Sequence, residues 1–422
     1  MRLGLLFLCF LSWTASADKV RYVFKGPLAT SISAYGQLSK MSFGLTDHQA
    51  QQILDLTEGQ VNFGDVYYLE RERGQLSQLL SNPSYVGFIN PAVPPPFESE
   101  VIQGDPELQN EWWIGKLGIK TAWHKATGRG VTIADCDAGF YHDEVDLSAN
   151  MLMEHRYDLS DKDDPLTIND GPYAFHGTAV AAIMTGVMNG VGTSGIAFNS
   201  KLVPLQNFNY HSKDDLDKEE ATAACVLRAI QTPNVSIIVV ENQTENGSSE
   251  TFIGTRDAIR LAVKSGLIVV TAAGNSGAHL TTEEKDDTGS IIVGAVMPNE
   301  LPTRTTNFGK RVTISAFGAD LKTLYGPNGK LGNFGGTSGA TPQVAATVAL
   351  MKEAYPHLTP AQARRILTDS RHMRRETRLI GGRLNAAVAV KRAQDMGSVE
   401  LDNQWAEQWL FRQQLVSILK NP

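Results

Sequence analysis

Between residues 131 and 296, five short runs are apolar at nearly every position: 131–134, 201–205, 235–240, 267–273 and 291–296. A strand with one wet face alternates apolar and polar residues. Continuous apolar runs therefore belong to strands covered on both faces, as in a parallel sheet. Helical stretches lie between them, at 177–187, 219–230 and 256–264. Parallel neighbours need crossover connections long enough to hold a helix, and the order strand, helix, strand meets that need. The pattern predicts a three-layer α/β domain around a mostly parallel sheet.

Other units flank this one. Pro91, Pro94, Pro95 and Pro96 make residues 91–96 an extended linker. Ahead of it, residues 20–24, 61–69 and 85–89 read as strands and 47–56 and 75–80 as helices, a small α+β unit. Arg2, an apolar run over 3–11, then Ala15, Ser16 and Ala17 read as a secretory signal. That run is too short to span a bilayer, and no second run of spanning length follows. The divisions are then 1–17 signal peptide, 18–95 α+β unit, 96–396 α/β domain and 397–422 tail. The mature protein is expected outside the cytoplasm, secreted or periplasmic. In the tail, Trp405, Trp409, Val416 and Leu419 predict an amphipathic helix. Its polar face is not strongly basic, so docking on the α/β domain is expected rather than on a membrane.

Composition narrows the functional classes. A net charge of −7 gives no footprint for nucleic acid. Cys9 falls in the signal, which leaves Cys136 and Cys225, too few for a disulfide framework. Both lie in buried-looking segments, so two buried free thiols are expected.

The chemistry gathers round a serine. Gly335, Gly336, Ser338, Gly339 and Ala340 strip bulk from both sides of it, and a helical pattern with Val344, Val348 and Met351 on one stripe follows. Proline fits the first helical turn, so Pro342 sets the helix start at about 338–341. Ser338 then sits where free N–H groups and the positive dipole end favour an anionic oxygen. A plain serine N-cap is the alternative. A serine nucleophile needs a base. His176, ahead of Gly177, Thr178, Ala179 and Val180, also begins a helix among small residues. The base needs a carboxylate to orient it. Asp135 and Asp137 compete; Asp137 stands at the strand exit beside Gly139 and is preferred. Asn275, between Gly274 and Gly277 after the 267–273 run, is either a turn residue or a donor to developing negative charge.

The order Asp137, His176, Asn275, Ser338, each in its local frame, resembles the subtilisin-like serine proteases. The frames are residues 133–139 with Asp146 and Leu147, 176–178 through 195–197, 272–275, and 336–338 with Ala340 and Pro342. The likeness runs from about residue 112 to 389. It implies a subtilisin-like fold, a triad of Asp137, His176 and Ser338, and Asn275 as oxyanion donor, with no cofactor for catalysis. It implies polypeptide substrates cleaved through an acyl-enzyme. It assigns the α+β unit as a propeptide that aids folding, lies across the cleft as an intramolecular inhibitor, and is removed by self-cleavage between residues 91 and 105. It places a structural calcium ion at Asp146 and Asn189, with carbonyls of the 187–193 loop.

Two departures stand out. The family's Ser-Xaa-Gly substrate strand is here Glu241, Asn242 and Gln243, which with Gly274 are the expected substrate-binding positions. Glu241 is expected to face the first specificity pocket and to favour a basic residue before the cut. Gly339 replaces a commoner methionine. An α/β-hydrolase is excluded, because that fold places its serine first, in Gly-Xaa-Ser-Xaa-Gly. The alternative is an impaired scaffold of this family, acting as a binding protein.

Overall fold

A computed structural model describes residues 45–58, 60–61, 105–159, 173–208, 215–244, 247–280, 286–375, 377–397 and 403–420. Among these, in chain order, lie α1 (Asp47–Leu56), α2 (Trp112–Leu117), α3 (Ile119–Trp123), β1 (Thr132–Asp137), β2 (Tyr157–Asp158) and α4 (His176–Thr185). Next come β3 (Lys201–Gln206), α5 (Asp215–Gln231), β4 (Val235–Val240), β5 (Gln243–Thr244), β6 (Gly247–Ser248), α6 (Ile253–Lys264), β7 (Ile268–Ala272) and β8 (Ile291–Val296). The rest are β9 (Ile314–Phe317), β10 (Leu321–Leu324), β11 (Leu331–Phe334), α7 (Gly336–Ala354), α8 (Pro360–Ser370), α9 (Ala386–Gly397) and α10 (Asn403–Lys420).

The central sheet has seven strands in the order β2-β3-β1-β4-β7-β8-β9, and each of its ladders is parallel. The expected three-layer α/β architecture is what forms. One face packs Ile133, Ile237, Val239 and Val270 against Val180 and Ile183 of α4 and Val344 and Val348 of α7. The other packs Ala134, Cys136, Ile238 and Val240 against Val226 and Ile230 of α5 and Ile259 of α6. Successive side chains point to opposite faces. From Ile133 in β1 and Ile237 in β4 onward, odd-numbered residues thus face α4 and α7 and even-numbered ones face α5; before that the register shifts and Val235 packs on the α5 side.

Each of the five apolar runs is a strand; 235–240 and 291–296 keep their expected limits and the other three shift. The 131–134 run continues through Asp135 and Cys136 to Asp137; buried carboxyls interrupt the apolar signal but not the ladder. The edge strand β9 escaped notice because Ser315 splits a four-residue run. α7 begins at Gly336, ahead of the start that Pro342 implies. Pro342 lies in the second turn, where its missing N–H leaves the Ser338 carbonyl without its usual helical donor.

The expectation of two free thiols is corrected: Cys136 and Cys225 form a disulfide with Cα atoms 6.0 Å apart. Strand alternation turns Cys136 away from its acidic neighbours and onto α5, within bridging range. At the C-terminal side, α10 packs on α5 and α6, burying Phe411, Leu415 and Leu419 rather than the two tryptophans. Arg412 donates to the carbonyls of Ile230, Thr232 and Val235, capping the end of α5. α1 matches the expected 47–56 helix and opens on a Thr46/Gln49 capping box. It rests on α10, with Gln49 Nε2 donating to the carbonyls of Ile418 and Leu419. The other elements expected of the N-terminal unit, and its linker, lie outside the described residues.

The bridge closes a loop spanning 89 residues. Reduction, or Cys225→Ser, should cost about 2–5 kcal/mol of stability. Thermal melting with and without reductant measures it, and reductant should have no further effect on the variant.

Candidate active site

Parallel strands end together, so the carboxyl ends of β1, β4 and β7 form one rim. Asp137 closes β1 on that rim. Its Oδ1 accepts from the Ala138 N–H at 2.5 Å and contacts Nδ1 of His176 at 2.6 Å. His176 is the first residue of α4, which packs along α7. The aspartate is buried and the imidazole nearly so. A short contact in such a place orients the ring, fixes which nitrogen carries the proton, and leaves Nε2 free to act. The ring is fenced edge-on by Tyr173 and Phe334, at centroid distances of 6.1 and 5.1 Å. Asp135, two residues back on the same face, is fully buried and neither of its oxygens has a partner. Burial first, and then Asp137, pushes its carboxyl well above the usual range.

After β7 the chain turns through Gly274, whose φ of 97° suits glycine. Asn307 holds this turn: its Nδ2 donates to Ala273 O, and its Oδ1 accepts from the N–H groups of Ser276 and Ala278. Asn275 follows. Its Oδ1 accepts the Thr337 N–H at 2.9 Å, an assignment only an oxygen can satisfy. Its Nδ2 must then face the rim, where it donates to Gln243 Oε1 at 3.1 Å, as the Asn275 N–H does at 2.7 Å.

Ser338 is the third residue of α7 and is buried. Its N–H, one of the first-turn amides without a helical acceptor, has no partner among the described residues. The structure makes no hydrogen bond between the Ser338 hydroxyl and His176; catalytic contacts of this kind tighten when substrate binds. Phe334, which touches the His176 ring, also lies against the Gly339 position beside Ser338. The fold thus brings Asp137, His176, Asn275 and Ser338 to one rim.

Residues 128–397, more than half of the chain, match the subtilase family. The chain belongs to that family. Among its curated relatives, an extracellular protease of Xanthomonas campestris pv. campestris is 28% identical over 63% of this chain and 52% of its own length. An intracellular serine protease of Paenibacillus polymyxa is 31% identical over 57% of this chain and 72% of its own. The matched segment thus spans about half of the first relative. Among solved structures, a protease from Pseudoalteromonas arctica superposes with a TM-score of 0.59 at 26% identity, covering 69% of this chain and 99% of that one.

Within this subtilase frame the substrate-strand residues depart from expectation. Glu241, just beyond β4, is an odd-numbered residue and shares the face of Asp135 and Asp137. It is 5% exposed, and both carboxyl oxygens are buried without a hydrogen-bond partner. It therefore does not front an open pocket for a basic side chain; strand alternation turns it inward. Burial, followed by Asp137 and Asp135, raises its carboxyl well above the usual range, while the nearby Ser338 hydroxyl acts in the opposite sense. Asn242 is half-buried and Gln243 exposed.

The loop expected to hold calcium closes differently. Asp105 Oδ1 accepts the N–H groups of Asn189 and Gly190, and its Oδ2 the Ser194 hydroxyl. Asp146 Oδ2 accepts the Thr193 N–H, and Asn189 Oδ1 accepts the Val191 N–H. A calcium ion needs six to eight oxygens turned inward. Here amide and hydroxyl donors occupy the oxygens of Asp105 and an amide that of Asn189, while Asp146 Oδ1, Thr193 Oγ1 and Glu111 Oε2 stay buried and unpartnered. Among the described residues no group of three or more His, Cys, Asp or Glu could hold a metal. As arranged, Asp146 and Asn189 do not fit the ion; Asp105 does the closing. Burial raises Glu111 to about 8 and Asp146 to about 6.

Asp105, Asn307 and Phe334 were not singled out from the sequence. Each is a single polar or aromatic residue in a loop or short strand, whose partner lies far along the chain. Removing the Asp105 carboxylate should orphan three loop donors. Asp105→Ala should cost about 1–3 kcal/mol, read as a lowered melting temperature, whereas a calcium chelator should leave the parent protein's melting unchanged.

Proposed function

We propose that this subtilase is a serine endopeptidase acting outside the cytoplasm and made as a self-processing zymogen. The observation that carries the reading is the 2.6 Å His176–Asp137 contact on the same rim as the partnerless Ser338 N–H and the Asn275 amide. In this reading His176 Nε2 takes the Ser338 proton, and Ser338 Oγ attacks the peptide carbonyl. Asp137 holds the imidazole in its tautomer and stabilises the imidazolium. The carbonyl oxygen, now anionic, displaces Gln243 Oε1 from Asn275 and also meets the Ser338 N–H. An asparagine donor of this kind is worth about 2.7–4 kcal/mol in the transition state, the magnitude known for subtilisin itself. His176 returns the proton to the leaving amine. Water, deprotonated by His176, then releases the acyl group.

Location outside the cytoplasm is supported by the signal-like start and by the Cys136–Cys225 bridge, since such bridges persist in oxidising compartments. No described helix is long and apolar enough to cross a membrane. The propeptide reading rests on the family likeness of residues 18–95. Its helix α1 docks through α10.

A fluorophosphonate should label the wild-type chain at Ser338 and not Ser338→Ala, and only the wild type should digest casein. An unlabelled wild type would favour the binding scaffold. Asn275→Ala should lower kcat by about 10²–10³ while labelling persists at a reduced rate. Mass spectrometry of the mature protein should find its N-terminus between residues 91 and 105; a chain still beginning near residue 18 would refute processing.

A further inference from the structure

The serine chemistry uses Asp137, His176, Asn275 and Ser338 and leaves Glu241 without a task. Its placement is specific. The Glu241 N–H donates to Cys136 O at 3.2 Å, so β4 continues alongside β1 and sets Glu241 level with Asp137. The β1–β4 register puts its side chain on the face that carries Asp135 and Asp137, where it is buried, with the Ser338 hydroxyl near enough to act on it. No cation is among the groups acting on Glu241. The nearest positive charge the site can make is the His176 imidazolium, and Asp137 already holds it. Three carboxyls with one potential counter-ion, shut away from water, cannot all ionise. Asp137 takes the negative charge because it holds two close donors, the Ala138 N–H and His176, against the single Ser338 hydroxyl beside Glu241. Its Oδ2 remains a buried acceptor without a partner, and a protonated neighbouring acid has an O–H to offer.

Building on the serine-protease reading, we propose that Glu241 is a positioning residue that must carry its proton for Ser338 to react. As a neutral acid it leaves the rim a single negative charge, on Asp137, where charge assists the imidazolium. Once ionised it sets an anion beside Ser338, against the negative charge that builds on the carbonyl oxygen during attack. Catalysis then falls as pH rises through the Glu241 titration. Tyr325, a further acid near Asp137, is itself held above its ordinary value, by burial first and then by Tyr173 and Asp137.

The test is the pH profile of kcat/KM on an uncharged peptide anilide from about pH 5 to about pH 10, with the rate of fluorophosphonate labelling as a second reading free of peptide binding. The wild type should show an acid limb and then fall by roughly ten-fold or more on the alkaline side, in kcat rather than KM. Glu241→Gln, neutral at every pH, should keep the acid limb and lose the alkaline one, whatever its height at neutral pH. Glu241→Ser, the residue type of the family pattern, should behave the same way if the glutamine does not fold. A wild-type profile flat to about pH 10, or an alkaline limb that survives in either folded variant, overturns the proposal. A wild type that neither labels nor cleaves overturns the protease reading instead.

Discussion

Parallel pairing is the constraint on which the site depends. Every ladder of the seven-stranded sheet runs in one sense, so strand ends far apart in sequence finish at one rim. β1 leads outward to β3 on one side and to β4 on the other, and the crevice opens at that change of direction. Asp137, Glu241 and Asn275 leave the sheet there from neighbouring strands. The two helices that face them contribute their first turns, with His176 and Ser338.

Alternation then decides which acids meet. Asp135 and Asp137 are two residues apart and share a face, and Glu241 joins them from β4. Cys136 between them looks the other way. One strand thus feeds the reactive side of the sheet with carboxyls and the rear layer with sulfur. The rear layer holds α5 and α6 through aliphatic packing, one covalent bond and the arginine cap from α10.

The layering and the meeting of Asp137 with His176 were legible because they rest on local patterns: apolar runs, small residues round a helix start, an acid at a strand exit. What escaped depends on spatial partners. Nothing near Asp105 says that it will cap residues 189–194, and nothing near Asn307 says that it will shape the Asn275 turn. The direction of Glu241 was in principle readable, since counting alternate residues along 237–241 places it with Val239 and Ile237. The expectation of a pocket-facing Glu241 came from the family likeness of the substrate strand and not from the direction of its side chain. The thiols were misjudged for a related reason: burial was read correctly, but the distance between Cys136 and Cys225 is a property of packing.

The covalent tie between β1 and α5 has a further use. Its two ends are remote along the backbone and approach only when the helix lies down on the sheet. Loss of free thiol during renaturation is therefore a clock for that docking step. Trapping aliquots with an alkylating reagent would date the assembly of the rear layer independently of any turnover assay.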